Sequence, residues 1–347
     1  MPEYTRLASP IEDIQDHYTV VVIGSGYGGG IAASRLARAG QKVCVLERGK
    51  ERLPGEYPET EHEAAAEMRA DTPEGTLNPQ GLYDMRFYND INVLVGCGLG
   101  GTSLINANVS IRADERVFDD ARWPKEIRDD LHTRIEDGYK HAFDMLKPTA
   151  VPDRVKLPKL QAQEQSAKLI DAPFHRTDLN VTFEKLPGGV NHVGVPQEPC
   201  NQCGDCVTGC NYGSKNTTQM TYLPDAVNHG AEIYTEVEVR RVSRNDDGTY
   251  NVHYRILDAR RESFDAPEES VRADLVIVAA GTLGSTEILL RSRAAGLAAS
   301  ARIGEGFTGN GDVLGFGYNC DQRINGIGWG HRKPIHMKDG SVDDGVG

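Results

Sequence analysis

Short, almost wholly apolar runs alternate along the chain with glycine-rich and polar stretches. The first apolar run, residues 18–23, consists mostly of β-branched side chains, and a second run at 42–47 follows soon after it. Continuous runs of this kind are typical of strands that are buried on both faces of a parallel sheet. Small residues at 31–39 predict a helix between the two strands, ended by Gly40. The pattern therefore predicts a βαβ unit near the start of the chain.

A second set of strands is predicted after residue 230. The pattern indicates strands at 232–242, 250–256 and 275–281, and the last of these ends in glycine before a helix at 285–293. The sheet therefore begins early in the chain and resumes much later. This order predicts an α/β dinucleotide-binding fold with a second, α+β domain threaded through it.

The residues between these two sets of strands have a less regular pattern. Prolines and polar residues at 50–90 predict loops with one helix at 61–69, and residues 123–146 predict a longer helix. We assign the chain to a discontinuous nucleotide-binding domain and an interleaved substrate domain. The first domain takes residues 17–120 and 200–310, and the second takes 121–199 and 311–347.

Composition narrows the class of protein. The chain has 347 residues and a formal net charge of −13, which argues against nucleic acid as the main partner because phosphate contacts need clustered Lys and Arg. No apolar run approaches the roughly 20 residues that a transmembrane helix requires. The polar N-terminus lacks the apolar core of a secretory signal, and we expect a cytoplasmic protein.

A glycine fingerprint lies between the first strand and the first helix. Gly24, Gly26 and Gly29 have the G-x-G-x-x-G spacing in the strand–turn–helix context that this fingerprint requires. The first glycine permits a tight turn, the second lets a pyrophosphate approach the backbone, and the third lets helix and strand pack closely. Glu47, at the end of the second strand, is placed to accept hydrogen bonds from a ribose diol. The motif predicts a dinucleotide site but does not distinguish NAD from FAD.

A second glycine-rich segment, residues 96–106, favours FAD. Its glycines leave room for a planar ring, and Thr102, Ser103 and Asn106 offer hydrogen-bonding groups beside it. This segment resembles the first signature of the glucose–methanol–choline (GMC) oxidoreductases, in particular their cholesterol-oxidase-like branch. Other segments are similar to that branch in the same order: 122–124, 215–217, 222–224, 281–290 and 304–315. The resemblance covers residues 18–320.

The resemblance implies FAD as cofactor and assigns residues to it. The implied cofactor-binding residues are Gly24, Gly26, Tyr27, Gly28, Gly29, Glu47, Arg48, Gly101, Asn106, Val109, Val239, Ala280 and Gly281. By position, the glycines of the first turn would hold the pyrophosphate and Glu47 the adenosine ribose. Gly101, Asn106 and Val109 would lie near the flavin ring, and Val239 would meet the adenine.

The implied reaction is oxidation of an alcohol or sterol CH–OH group by hydride transfer to flavin N5, with oxygen or a redox protein as electron acceptor. In this family the general base lies in a C-terminal segment, so we expect the chain to be the N-terminal part of a longer protein. His331 and His336 do not stand in the setting of the catalytic segment, and no catalytic residue is assigned. Two other functions stay open, namely an electron-transfer flavoprotein module and a catalytically inactive FAD-binding fragment.

Four cysteines are concentrated in a short stretch: Cys200, Cys203, Cys206 and Cys210. Their spacing matches the bacterial ferredoxin run, which wraps thiolates around an iron–sulfur cluster. Asn211, however, replaces the usual proline, and the chain has no second run. The alternatives are an iron–sulfur cluster, a zinc site of four thiolates and a structural glycine-containing loop.

Overall fold

The computed structural model describes residues 2–72, 75–155, 157–257 and 268–311, together with two short strands near the C-terminus. The strands are β1 (His17–Ile23), β2 (Val43–Leu46), β3 (Met68–Thr72), β4 (Gly75–Leu77), β5 (Tyr83–Phe87), β6 (Asn92–Gly96), β7 (Thr149–Ala150), β8 (Asp178–Leu179), β9 (Glu232–Tyr234), β10 (Val237–Arg244), β11 (Tyr250–Ile256), β12 (Glu269–Val278), β13 (Ile335–His336) and β14 (Val342–Asp343). The α-helices are α1 (Tyr27–Arg38), α2 (Glu61–Ala66), α3 (Lys125–Asp129), α4 (Glu136–Leu146), α5 (Pro158–Leu169), α6 (Tyr222–Asn228) and α7 (Gly281–Ala294).

The main sheet has six strands in the order β10-β11-β12-β1-β2-β9. Strands β12, β1, β2 and β9 run parallel, whereas β10 and β11 pair antiparallel at one side. In the centre, Val20 of β1 pairs with Val43 of β2 and with Leu275 of β12. Strands from the two ends of the chain thus form one sheet, which confirms the predicted α/β fold. The proposed boundaries between two domains stay a prediction.

The central strand β1 ends in a buried apolar run, Val20–Ile23, because both faces of the sheet are covered there. Val21 and Ile23 belong to one buried cluster, which also contains Ile288 of α7. Val20 and Val22 point to the opposite face and pack with Ala33 and Ala37 of α1. Full burial of a side chain of this size contributes about 1.5–3 kcal/mol, so the two clusters fix the register of the sheet.

The region predicted as loops contains a second sheet. The predicted helix at 61–69 ends at Ala66, and strands follow it in a four-stranded sheet of order β4-β3-β5-β6. The strand pattern was missed because charged side chains occupy buried strand positions. Arg69 of β3 and Asp84 of β5 are buried and form an ion pair with each other.

Several predicted boundaries differ from the structure. The helices predicted at 31–39 and 285–293 begin four residues earlier, α1 immediately after the glycine turn and α7 at Gly281. The predicted strand at 232–242 is divided between β9 and β10 by Glu236, whose φ is +61°. The strand predicted at 275–281 corresponds to β12, which begins at Glu269 and ends at Val278.

The predicted helix at 123–146 consists of α3, a π-helical segment (Leu131–Ile135) and α4. The Thr133 hydroxyl donates to the backbone carbonyl of Asp130 at 3.2 Å, a local bond of a kind that competes with regular helix geometry. Within the part of the chain that the structure describes, no helix is long and apolar enough to cross a membrane. The side chains of His331 and His336 lie outside the described residues.

Candidate functional site

The candidate site lies at the carboxyl edge of the main sheet, where strand order reverses on either side of β1. The Gly24 N–H donates to the carbonyl of Leu46 at 2.8 Å, and the Ala279 N–H donates to that of Ile23 at 2.9 Å. These bonds hold the turn after β1 against the ends of both neighbouring strands. Such switch points are where open α/β sheets bind their ligands.

Two glycines of the first turn are required by the fold itself. Gly24 has a φ of +94°, and a Cβ there would lie 2.6 Å from the carbonyl oxygen of Ala279. A Cβ on Gly29 would lie 1.9 Å from the carbonyl oxygen of Gly24. Both distances are too short for a side chain, so the first and third glycines permit the turn and the close approach of α1.

Gly26 and Gly28 have room for a Cβ. The nearest atoms to a Cβ on Gly26 or Gly28 would be 4.0 Å away. Gly26 is the N-cap of α1, and no side chain caps the free N–H groups there. Uncapped N–H groups and the positive end of the helix dipole attract anions. The turn therefore has the space and the donors that a pyrophosphate requires.

The Glu47 carboxylate is held against this turn. Its Oε2 accepts hydrogen bonds from the Ser25 N–H at 3.0 Å and the Ser25 hydroxyl at 2.6 Å, and its Oε1 accepts one from the Gly49 N–H at 2.8 Å. Burial raises the pKa of Glu47, although these donors oppose the shift. A carboxylate offers about four acceptor positions, so one is left for a hydroxyl donor such as ribose.

Arg48 lies elsewhere, in a cluster of arginines. Its guanidinium binds the buried Asp84 carboxylate at 2.6 Å, and Arg69 and Arg86 bind the same carboxylate at 2.7 and 2.8 Å. A polar cavity of about 260 Å³ adjoins this cluster. The charged residues that line it are Arg48, Arg69, Asp71, Arg86, Glu238, Arg240, Glu287 and Arg291. In the structure Arg48 thus forms an ion pair with Asp84. The role of Arg48 in cofactor binding stays a prediction.

The second glycine segment touches the first turn. Gly100 and Gly101 have positive φ angles, and a Cβ on Gly101 would lie 2.8 Å from the Cα of Gly26. The Gly100 N–H donates to the Ser25 hydroxyl at 2.9 Å. The two glycine motifs, far apart in sequence, thus form one backbone-lined surface.

A buried network of hydroxyl groups joins the two glycine segments and was not predicted. The Ser103 hydroxyl donates to the Gly100 carbonyl at 2.6 Å. The Thr218 hydroxyl lies 3.1 Å from the carbonyl oxygens of both Ser25 and Gly100. Serine and threonine occur at both buried and exposed positions, so the sequence pattern does not show which of them are buried. The available signal was the family-like segment at 215–217, which immediately precedes Thr218.

The residues assigned to the flavin side differ in their contacts and in their exposure. Asn106 donates to the hydroxyl of Tyr27 at 2.9 Å, which joins the second glycine segment to the start of α1. Burial raises the pKa of Tyr27, so its hydroxyl stays protonated. Val109 is 51% exposed and forms a β-bridge with Leu179.

Of the remaining assigned residues, Ala280 and Gly281 lie beside the glycine turn and Val239 lies in the core. Ala280 and Gly281 stand at the start of α7, and the Ala280 Cα would lie 3.0 Å from a Cβ on Gly24. Val239 is buried in the apolar cluster of β1 and β10. Its side chain is a core residue, so a contact with adenine would have to come from its backbone.

The four-cysteine loop does not form a metal centre in the structure. Among the described residues, no group of three or more His, Cys, Asp or Glu side chains could hold a metal ion, and Cys200, Cys203, Cys206 and Cys210 are free thiols. Burial raises the pKa of Cys200 to about 11 and also raises the pKa values of Cys203 and Cys206.

Packing instead explains the shape of this loop. A Cβ on Gly209, whose φ is +115°, would lie 2.1 Å from the ring of Tyr57. The Asn211 side chain accepts hydrogen bonds from the N–H groups of Gly55 and Tyr57 at 3.0 and 2.9 Å, and donates to the Tyr57 carbonyl at 3.0 Å. Asn211, which replaces the proline of the ferredoxin run, thus fastens the loop. These contacts favour the structural alternative.

Comparison with known proteins gives consistent matches. A family model described as GMC oxidoreductase matches residues 26–309. A cholesterol oxidase of Acinetobacter baumannii is 27% identical over 296 residues, which are 80% of this chain and 51% of that protein. A cholesterol oxidase of Mycobacterium tuberculosis is 28% identical over 290 residues, 80% of this chain and 48% of the relative.

More distant relatives agree. A long-chain-alcohol oxidase of Arabidopsis thaliana is 28% identical over 314 residues, which cover 89% of this chain and 38% of that protein. The crystal structure of pyridoxine 4-oxidase from Mesorbium loti superposes with a TM-score of 0.50 at 16% identity, covering 79% of this chain and 52% of that one. This likeness supports the fold alone. The chain spans about half the length, or less, of the curated relatives it matches.

Proposed function

The chain belongs to the GMC oxidoreductase family, and from this premise we propose that it binds FAD and forms the cofactor site of an enzyme that oxidises an alcohol or sterol CH–OH group. GMC oxidoreductases use FAD, and the named relatives include cholesterol oxidases and a long-chain-alcohol oxidase. The substrate class is inferred from those names.

The observation that carries the proposal is the unequal space around the glycines of the first turn. Gly24 and Gly29 leave no room for a side chain, whereas a Cβ on Gly26, beside the uncapped start of α1, would come no closer than 4.0 Å to another residue. A turn needed only for packing would not require a glycine at position 26. An anion lying against its Cα explains that residue.

Each part of the site has a role in this proposal. The turn and the start of α1 would hold the pyrophosphate, and Glu47 would accept hydrogen bonds from the ribose. Asn106 and Gly101 would border the flavin ring, with Tyr27 fixing the Asn106 amide. Bound FAD supplies a hydride acceptor for the CH–OH carbon. The described residues thus contribute binding and orientation, and we assign none of them as the general base.

Replacing Gly26 by alanine tests the cofactor site. Its φ of −61° is accessible to alanine, so the Gly26→Ala protein should fold but bind FAD at least tenfold more weakly, about 1.4 kcal/mol. FAD fluorescence titration gives the affinity, and thermal unfolding without FAD checks the fold. Gly138→Ala, in open space on α4, is the control and should keep the wild-type affinity. Equal affinities for Gly26→Ala and the control would contradict the proposal.

A second experiment separates the reaction classes. Anaerobic addition of a sterol or a long-chain primary alcohol should bleach the flavin absorbance of the FAD-loaded protein when the C-terminal segment expected to carry the general base is present. Iron and sulfide analysis of the same sample tests the electron-transfer alternative, which is supported by the cysteine spacing alone. Cluster iron without bleaching would favour that alternative over alcohol oxidation.

A further inference from the structure

Lys215 is a buried cation between two loops of the site. It is 2% exposed. Its Nζ donates to the carbonyl oxygens of Leu104 at 3.0 Å and Asn106 at 2.8 Å, and to that of Cys206 at 2.8 Å. The first two carbonyls belong to the flavin-facing loop, defined here as residues 104–109, and the third belongs to the cysteine loop, residues 200–210. One ammonium group thus joins the two loops.

The geometry favours the charged form of this lysine, although burial lowers the pKa of Lys215 to about 8. Three carbonyl acceptors need three N–H donors, which only the ammonium group provides. Within the described ranges, no hydrogen bond or ion pair joins Lys215 to a carboxylate. Burying a charge is costly unless its hydrogen bonds are satisfied, so the ammonium holds all three carbonyls in fixed positions.

A second contact joins the same loops. The side chain of Asn108 lies beside the thiol of Cys206. Asn108 is 1% exposed and has a φ of +62°, a left-handed conformation that asparagine tolerates better than most residues. Its carbonyl accepts a hydrogen bond from the Asn180 N–H at 2.9 Å. The flavin-facing loop is therefore held at both its backbone and its side chains.

The chain that follows Lys215 reaches the pyrophosphate side of the site. Thr218 lies three residues later, and its hydroxyl contacts the carbonyls of Ser25 and Gly100. The segment 215–218 thus contacts the cysteine loop, the flavin-facing loop and both glycine turns. A change in the position of Lys215 would therefore shift both loops and both glycine turns of the candidate site.

We propose that Lys215 is a positioning residue for the flavin end of the cofactor, fixing the flavin-facing loop to the cysteine loop and placing a positive charge behind it. This inference rests on the proposed FAD binding. A cation near a flavin favours the reduced, anionic form and raises its reduction potential. The cysteine loop then serves as the rigid support for this charge.

Two variants separate charge from geometry. Lys215→Met removes the charge with little change in volume, and we expect at least tenfold weaker FAD binding and a lower midpoint potential of the bound FAD. Lys215→Arg keeps the charge, but its planar donors cannot reproduce the three bonds. Its midpoint potential should stay near the wild-type value while its FAD affinity falls. Equal potentials in the wild type and Lys215→Met would overturn the proposal.

A measurement without FAD tests the loop contact by itself. Amide hydrogen exchange in residues 104–109 should be at least tenfold faster in Lys215→Met than in the wild type, and Cys206 should be alkylated faster. If the wild type binds no FAD, the proposed function fails and this measurement still decides whether Lys215 fixes the loop. Unchanged exchange in the loop would refute the positioning role.

The outcome is defined even when Lys215→Met does not fold. Lys215→Arg then carries the test, and a wild-type FAD affinity together with wild-type exchange in residues 104–109 would count against the proposal. Asn108→Gly removes the contact with the Cys206 thiol but retains access to the left-handed backbone. We expect it to accelerate loop exchange less than Lys215→Met does.

Discussion

The glycine turn after β1 and the cysteine loop at 200–210 both carry a motif with a known spacing, but they differ in what holds them. The turn is shaped by contacts of its own backbone, since Cβ atoms at Gly24 and Gly29 would overlap carbonyl oxygens. The cysteine loop is shaped by neighbours outside the motif, such as Tyr57 and Asn211 against Gly209 and Gly55. Its four thiols do not assemble a ligand group within the described residues.

This difference shows which motifs a sequence reveals reliably. A steric requirement is present in the chain itself, so the spacing and context of the glycines suffice to predict the turn. A metal site requires four side chains to converge on an ion, and spacing along the chain is only one condition for that. Substitutions in the two regions should therefore have unequal effects.

The largest effect is expected at Gly29. A Cβ there would lie 1.9 Å from the Gly24 carbonyl oxygen, so Gly29→Ala should force β1 and α1 apart. We expect a loss of about 4 kcal/mol in the free energy of unfolding, or loss of soluble protein. Urea unfolding measures it. Gly28→Ala, one residue away on α1, is the control, because a Cβ there would come no closer than 4.0 Å to another residue; it should be neutral or slightly stabilising. Similar stabilities for the two variants would show that the turn is not sterically determined.

Much of this turn and its sheet could be predicted from sequence for physical reasons. Residues 18–23 are apolar because both faces of β1 are covered, and that requirement leaves a continuous run. The position of Glu47 beside the turn could be predicted because it directly follows the adjacent strand β2. The sheet of β3–β6 could not be predicted, because its buried strand positions carry Arg69 and Asp84 rather than apolar residues. The hydroxyl of Thr218 contacts distant backbone, which no local pattern indicates.

An intermediate effect is expected at Asp84, whose ion pairs belong to side chains rather than to backbone. Burial opposes its charge, but Arg48 and its neighbours outweigh burial and lower the pKa of Asp84. Asp84→Asn leaves three guanidinium groups without their shared carboxylate, and we expect a loss of about 3 kcal/mol at pH 7. Asp71→Asn is the control, because Asp71 is 51% exposed and its ion pairs should contribute under about 1 kcal/mol.

The stability difference between the wild type and Asp84→Asn should depend on pH in one direction only. Because the folded-state pKa of Asp84 is depressed, its contribution is complete above the unfolded-state value of about 3.9. The contribution is lost as the pH falls through the lower, folded-state pKa. The stability difference between wild type and Asp84→Asn should therefore be constant from pH 7 to about pH 5 and shrink in more acidic solution. A difference that grows on acidification would contradict the assigned ion pairs.

The smallest effect is expected in the cysteine loop. Cys203 is partly exposed, and Cys203→Ser should change the free energy of unfolding by about 0.5 kcal/mol or less. Cys44, fully buried in β2, is the matched comparison, because a serine hydroxyl there would lack a partner and cost about 1–3 kcal/mol. A structural metal would reverse this order, since loss of one ligand and addition of a chelator would both lower the melting temperature markedly. Thermal unfolding of the two variants, with and without chelator, therefore decides whether packing or a bound metal maintains the loop.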